Sequence, residues 1–107
     1  MVQRRARSIP ARRAIVTNSE TLLAWQREKI EATFNAPVFD YYGTAEYVVF
    51  AGQDKQGSYR ANPVIGITEI AAEDTDSTEG EILATTLTNT LMPLLRYDLG
   101  DTATPGP

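Results

Sequence analysis

Hydrophobic and polar positions along the chain follow two different periods. Ala14-Ile15-Val16-Thr17 is a short apolar run of β type, and Asn18 and Ser19 behind it are favourable helix N-caps. Glu20 then stands in a first helical turn, where a negative charge suits the helix dipole. Wound as a helix, Leu22, Leu23, Gln26, Ile30, Thr33 and Phe34 share a stripe about 120° wide, with Trp25 at its edge. The spacing predicts an amphipathic helix over residues 19–34, stopped by Asn35 and Ala36-Pro37, with Trp25 and Phe34 packing in the core. Pro37–Tyr42 reads as a second strand, broken by Gly43. Strand, helix, strand is a βαβ unit, which predicts parallel pairing with a right-handed crossover.

After Gly43 the pattern changes. Tyr47–Ala51, Val64–Ile70 and Gly80–Leu87 are β runs, and Gly52–Gly57 is a polar turn. The connector from Glu73 to Glu79 is strongly acidic. An EF-hand opening at Asp74 needs Gly at its sixth position and Glu at its twelfth, where Glu79 and Thr85 stand. The connector is therefore read as a solvated hairpin loop. The predicted class is mixed α/β, a βαβ unit followed by mainly antiparallel strands.

Composition narrows the chemistry. The 107 residues suit one domain, with a modest core. There is no Cys and no His, which excludes disulfides, thiol nucleophiles, Cys-type zinc sites, histidine bases and the Ser-His-Asp triad. Carboxylate, hydroxyl, guanidinium, amine and phenol groups remain, and a hard cation such as Mg²⁺ is the metal that suits them.

Charge is unevenly placed. Residues 1–13 carry five arginines and no acid; residues 14–107 carry five basic and fourteen acidic side chains. Residues 1–13 are read as a basic, disordered leader, and 14–107 as the folded part. The acidic body is a poor partner for nucleic acid, which demands a basic face. No apolar run approaches the roughly 20 residues of a membrane helix, and a cytoplasmic location is expected.

Two segments are more specific than composition. The first is Phe39-Asp40-Tyr41-Tyr42-Gly43-Thr44-Ala45-Glu46 at the end of the expected parallel strand. The second is Gly80-Glu81-Ile82-Leu83-Ala84-Thr85-Thr86-Leu87, followed by Met92-Pro93-Leu94-Leu95-Arg96-Tyr97-Asp98-Leu99-Gly100-Asp101. Asp98 and Asp101 make no acid–base pair by themselves, since residues three apart at a strand end face different sides. In this order and separation, the segments resemble the adenylate-forming (AMP-binding) enzymes. The branch they are most similar to is the phenylacetate–coenzyme A ligases and their capsule-biosynthesis-type relatives, and the resemblance runs from about Ala14 to Asp101.

The resemblance implies a piece of the large N-terminal domain of an AMP-dependent acid–thiol ligase. Such enzymes join a carboxylate to the α-phosphate of ATP, release pyrophosphate, and pass the acyl group to coenzyme A. It implies that Tyr42 stacks on adenine and that Gly43 lets the backbone approach the nucleotide. It implies too that Thr44 belongs to the nucleotide-binding set and that Glu46 holds Mg²⁺. The Asp101 carboxylate accepts hydrogen bonds from the ribose hydroxyls. The acid substrate implied is small and aromatic.

One position departs from that pattern. Many relatives carry Thr or Ser immediately before the Glu, where this chain has Ala45, and Thr44 is the adjacent hydroxyl that could substitute. Relatives also carry a phosphate loop upstream and a catalytic Lys downstream; Lys29 and Lys55 match neither. The chain is therefore expected to be an internal fragment, catalytically silent and prone to self-association through open strand edges. The alternative expectation is a stand-alone, non-catalytic module that binds an adenine nucleotide or a partner.

Overall fold

Residues 9–72 and 74–106 are described by a computed structural model of the chain. Strand β1 (Ile15–Thr17) pairs in parallel with β2 (Val38–Gly43), Ile15 lying opposite Val38 and Thr17 opposite Asp40. Between them runs helix α1 (Ala24–Phe34). This is the βαβ unit expected from the apolar periods. Strand β2 also pairs antiparallel with β3 (Phe50–Gln53), which pairs antiparallel with β4 (Tyr59–Ala61). A second, antiparallel sheet holds β5 (Gly66–Ala71), β6 (Gly80–Thr86) and β7 (Tyr97–Ala103) in that order. The fold is mixed α/β, parallel at its start and antiparallel after Gly43.

The core lies where the two sheets meet. Val48, Val49 and Ala84 are buried together, and Tyr42, Leu94 and Leu99 pack against them. The backbones touch at Gly66: a Cβ there would stand 2.1 Å from the Val48 carbonyl oxygen. Beneath the first sheet, Asp40 is 6% exposed and accepts hydrogen bonds from Thr17 Oγ1 at 2.5 Å and the Tyr59 hydroxyl at 2.6 Å. These bonds tie β1, β2 and β4 together through one carboxylate.

Several expectations are corrected. The helix begins at Ala24, not residue 19. Ser19 takes a left-handed φ of 81° and donates its hydroxyl to the Asn18 side chain, so neither residue caps the helix. The start is set instead by Gln26, whose Oε1 accepts the Leu23 N–H at 2.9 Å. The stop at Asn35 holds, with φ 49° and ψ 47° in the left-handed C-cap conformation. Glu20 lies outside the first turn.

Trp25 is 62% exposed rather than in the core, and Phe34 is only half-buried. The physical reason is the way α1 is held. Arg27 donates to the Val38 carbonyl and the Gln53 side chain, and Glu31 accepts the Val38 N–H at 2.9 Å. Polar grips on β2 and β3 dock the helix, and no residue of it is buried.

Strand β2 ends at Gly43, where a break is expected, and Gly43 is its last paired residue, opposite Phe50. The run expected at Tyr47–Ala51 starts only at Phe50, because Tyr47 closes a turn onto the Thr44 carbonyl with φ 58°. The run expected from Val64 starts at Gly66, after a turn over Asn62–Ile65. Strand β4 carries no apolar alternation that would predict it. Asp54 organises the turn before it, accepting the N–H groups of Gln56 and Ser58 and the Arg60 guanidinium at 2.8 Å.

Residues 74–79 of the acidic connector are exposed, and Glu73 lies outside the described residues. Of the expected basic leader, residues 1–8 also lie outside them; residues 9–13 are exposed and form neither helix nor strand. No helix among the described residues is long and apolar enough to cross a membrane.

The sheets leave much apolar surface uncovered. All three residues of edge strand β4 are exposed, and at the opposite edge Val16 is 63% exposed. Among the described residues, Val48 is the one large side chain fully buried. Open edges with unpaired backbone groups template association. Light scattering should therefore find the chain self-associated, with a melting transition that moves with concentration. A sharp, concentration-independent melt of a monomer above about 50 °C would contradict this.

Candidate functional site

The segments Phe39–Glu46 and Arg96–Asp101 meet in the folded chain. Tyr42, near the end of β2, donates its hydroxyl to Asp101 Oδ2 on β7 at 2.5 Å, across 59 positions of sequence. Tyr97, at the start of β7, donates its hydroxyl to Glu46 Oε1 at 3.3 Å. Each segment contributes one tyrosine and one carboxylate, and each tyrosine is bonded to the carboxylate of the other segment. The first three expected site positions to find a place here are Tyr42, Glu46 and Asp101.

The local backbone explains how these groups arrive. Gly100 has φ 73°, and its N–H is accepted by the Asp98 side chain at 2.8 Å, a tight turn inside β7. The same stretch breaks register with β6: Leu83 faces Asp98, whereas Glu81 faces Thr102. This bulge re-aims Asp101 toward Tyr42. Asp98 is occupied with that turn, so the two acids form no pair.

Two non-glycine residues in left-handed conformations flank the second bond. Tyr47 (φ 58°) follows Glu46, and Arg96 (φ 44°) precedes Tyr97. Such residues cost on the order of 1 kcal/mol each and persist where surrounding contacts over-determine them. Here the Arg96 N–H is accepted by Thr85 Oγ1 at 3.0 Å and its Nε by Glu69 at 3.1 Å. The Glu46 carbonyl accepts Asn89 Nδ2 at 3.3 Å.

Burial sets the electrostatics. The Tyr42 phenol is held well above its ordinary range, first by desolvation, then by the bond to Asp101 and the charges of Asp101 and Glu46. Tyr59 is pushed up to about 12 by desolvation and then by its bond to Asp40. The Tyr42 hydroxyl therefore remains a donor across the physiological range.

Gly43 and Thr44 fit less simply. A Cβ at Gly43 would meet its nearest atom at 3.6 Å, ordinary contact, so the fold itself does not require glycine there. Thr44 Oγ1 is buried without a hydrogen-bond partner, and Ala45 beside it is exposed. The hydroxyl faces inward, so Thr44 in this conformation does not replace the one missing at Ala45. Among the described residues, no three acidic groups converge to hold a metal ion. Glu46 would hold Mg²⁺ as one carboxylate, the remaining ligands coming from phosphate and water, which is how this ion is usually bound.

The roles of Tyr97 and Asn89 have no local signal in the sequence. Tyr97 lies within the second segment, but its partner is 51 positions upstream, a relation that no local spacing carries. A separate open groove of about 360 Å³ lies beside Thr17, Leu22, Trp25, Gln26, Lys29 and Ile30, and no residue of either segment lines it.

No protein-family model matches the chain. Protein CapK of Staphylococcus aureus is 35% identical over 88 residues, which are 82% of this chain and 19% of CapK. The chain thus spans about a fifth of the length of the curated relative it matches.

Proposed function

We propose that the chain is part of an AMP-dependent acid–thiol ligase of the adenylate-forming type, resembling phenylacetate–coenzyme A ligases, and that it supplies half of the nucleotide pocket. One observation carries the reading. The two segments bearing the resemblance are joined side chain to side chain, Tyr42 to Asp101 and Tyr97 to Glu46. In this reading the Tyr42 ring stacks on adenine, as aromatic faces do on bases. Asp101 accepts the ribose hydroxyls, and Gly43 leaves room for the backbone to approach the nucleotide. Glu46 holds Mg²⁺, which when bound offsets charge on the phosphates. A small carboxylic acid, aromatic by resemblance, and coenzyme A are the other substrates of the whole enzyme. A cytoplasmic location goes with the reading.

A second reading is a non-catalytic adenine-nucleotide module. It is favoured by the loop after Gly43, where Ala45 has no hydroxyl and Thr44 turns its own inward. Titration calorimetry with AMP and ATP, with and without Mg²⁺, separates the two. The ligase reading expects ATP binding that Mg²⁺ strengthens and Glu46→Gln makes insensitive to Mg²⁺. The module reading expects AMP binding indifferent to Mg²⁺. In either case Asp101→Ala should weaken binding by about 1.5–3 kcal/mol, the scale of a hydrogen bond to a charged group. Failure of both nucleotides to bind would remove both readings.

A further inference from the structure

We propose that the Tyr42 hydroxyl is a positioning group that holds Asp101 for ribose, so that the chain selects nucleotides carrying ribose hydroxyls. The inference rests on the nucleotide reading above and adds a role that stacking by the ring does not require. Asp101 is exposed, in a bulged strand next to Gly100 with φ 73°, so little in its own surroundings fixes its rotamer. Among the described residues, Tyr42 is its hydrogen-bond donor, at 2.5 Å.

Tyr42 is itself well fixed. It packs against the buried cluster of Val48, Val49 and Ala84, which sets where its hydroxyl lies. A carboxylate has two oxygens and about four lone-pair directions. The bond occupies part of Oδ2 and leaves Oδ1 free. Both ribose hydroxyls are donors, so an oriented, uncommitted Oδ1 suits them. Asp101 and Glu46 are the charged groups that act on the phenol, and both disfavour its ionisation, keeping the donor in place.

The test compares AMP with 2′,3′-dideoxy-AMP on the full chain. The parent should prefer AMP by about tenfold or more, since hydrogen bonds to a charged group contribute about 1.5–3 kcal/mol. Tyr42→Phe retains the ring and removes the donor, so the preference for AMP over dideoxy-AMP should fall about three- to tenfold. A Tyr42→Phe chain that keeps the whole preference overturns the inference and leaves the nucleotide reading standing. A parent that binds neither nucleotide removes both.

A ligand-free readout checks the bond itself. In ultraviolet titration of the tyrosines, Asp101→Asn should let the Tyr42 phenol ionise at lower pH and leave the ionisation of Tyr59 in place. If no phenol responds to Asp101→Asn, the bond is absent in solution and the proposal fails.

Discussion

A Gly66→Ala chain should not hold its native fold. The added Cβ would stand 2.1 Å from the Val48 carbonyl oxygen and 2.8 Å from that of Thr85. Both obstacles are backbone atoms, so no side chain can swing aside to relieve them. Overpacking of a well-filled site costs about 1–3 kcal/mol, and more where the surroundings cannot yield. Here the contact joins the two sheets at Val48, the one large side chain fully buried among the described residues. We expect a loss of at least about 3 kcal/mol, a large part of what a small domain has. Gly80→Ala should behave alike, its Cβ meeting the Ala71 carbonyl carbon and oxygen at 2.7 Å. At Gly52 a Cβ meets nothing within 4 Å, so alanine there should stay within about 0.5 kcal/mol of the parent. Thermal melts followed by circular dichroism decide the matter. If Gly66→Ala melted with Gly52→Ala, the sheets would not pack through Val48.

The second large effect is expected at Asp40. Its carboxylate is buried and accepts the hydroxyls of Thr17 and Tyr59 at 2.5 and 2.6 Å. Removing both hydroxyls in Thr17→Val with Tyr59→Phe leaves the charge in place without those donors. Hydrogen bonds to charged groups contribute about 1.5–3 kcal/mol each, and the two share an acceptor, so about 3 kcal/mol or more should be lost. Adding Asp40→Asn to that pair should recover a substantial part, because the uncompensated buried charge is then gone. Urea denaturation of the parent, the double and the triple variant measures this directly. A double variant as stable as the parent would show that water reaches Asp40 freely.

Much of the architecture was legible along the chain. Ile15–Thr17 and Val38–Tyr42 are apolar runs separated by a helical period, and they do pair in parallel. Gly80–Leu87 reads as a strand and ends one residue earlier, at Thr86. The helix start was misplaced because Asn18 and Ser19 are good caps in isolation, whereas here they bond to each other and Ser19 turns left-handed. Trp25 was misplaced because a stripe of apolar positions states which face could be buried, not whether anything covers it. Strand β4 has no apolar alternation; it exists because Asp54 folds the turn that lays Tyr59–Ala61 against β3.

The candidate site divides in the same way. The sequence alone determined the residue types: phenols and carboxylates in two segments, no Cys, no His, five arginines within residues 1–13 and an acidic balance after them. It also determined that Ala45 offers no hydroxyl beside Glu46. Only the tertiary structure decided the pairing, Tyr42 with Asp101 and Tyr97 with Glu46, and the inward turn of Thr44. The reason is physical. Periodicity and caps are properties of neighbours a few positions apart. These bonds span 59 and 51 positions, and they form because the core around Val48 brings β2 and β7 together.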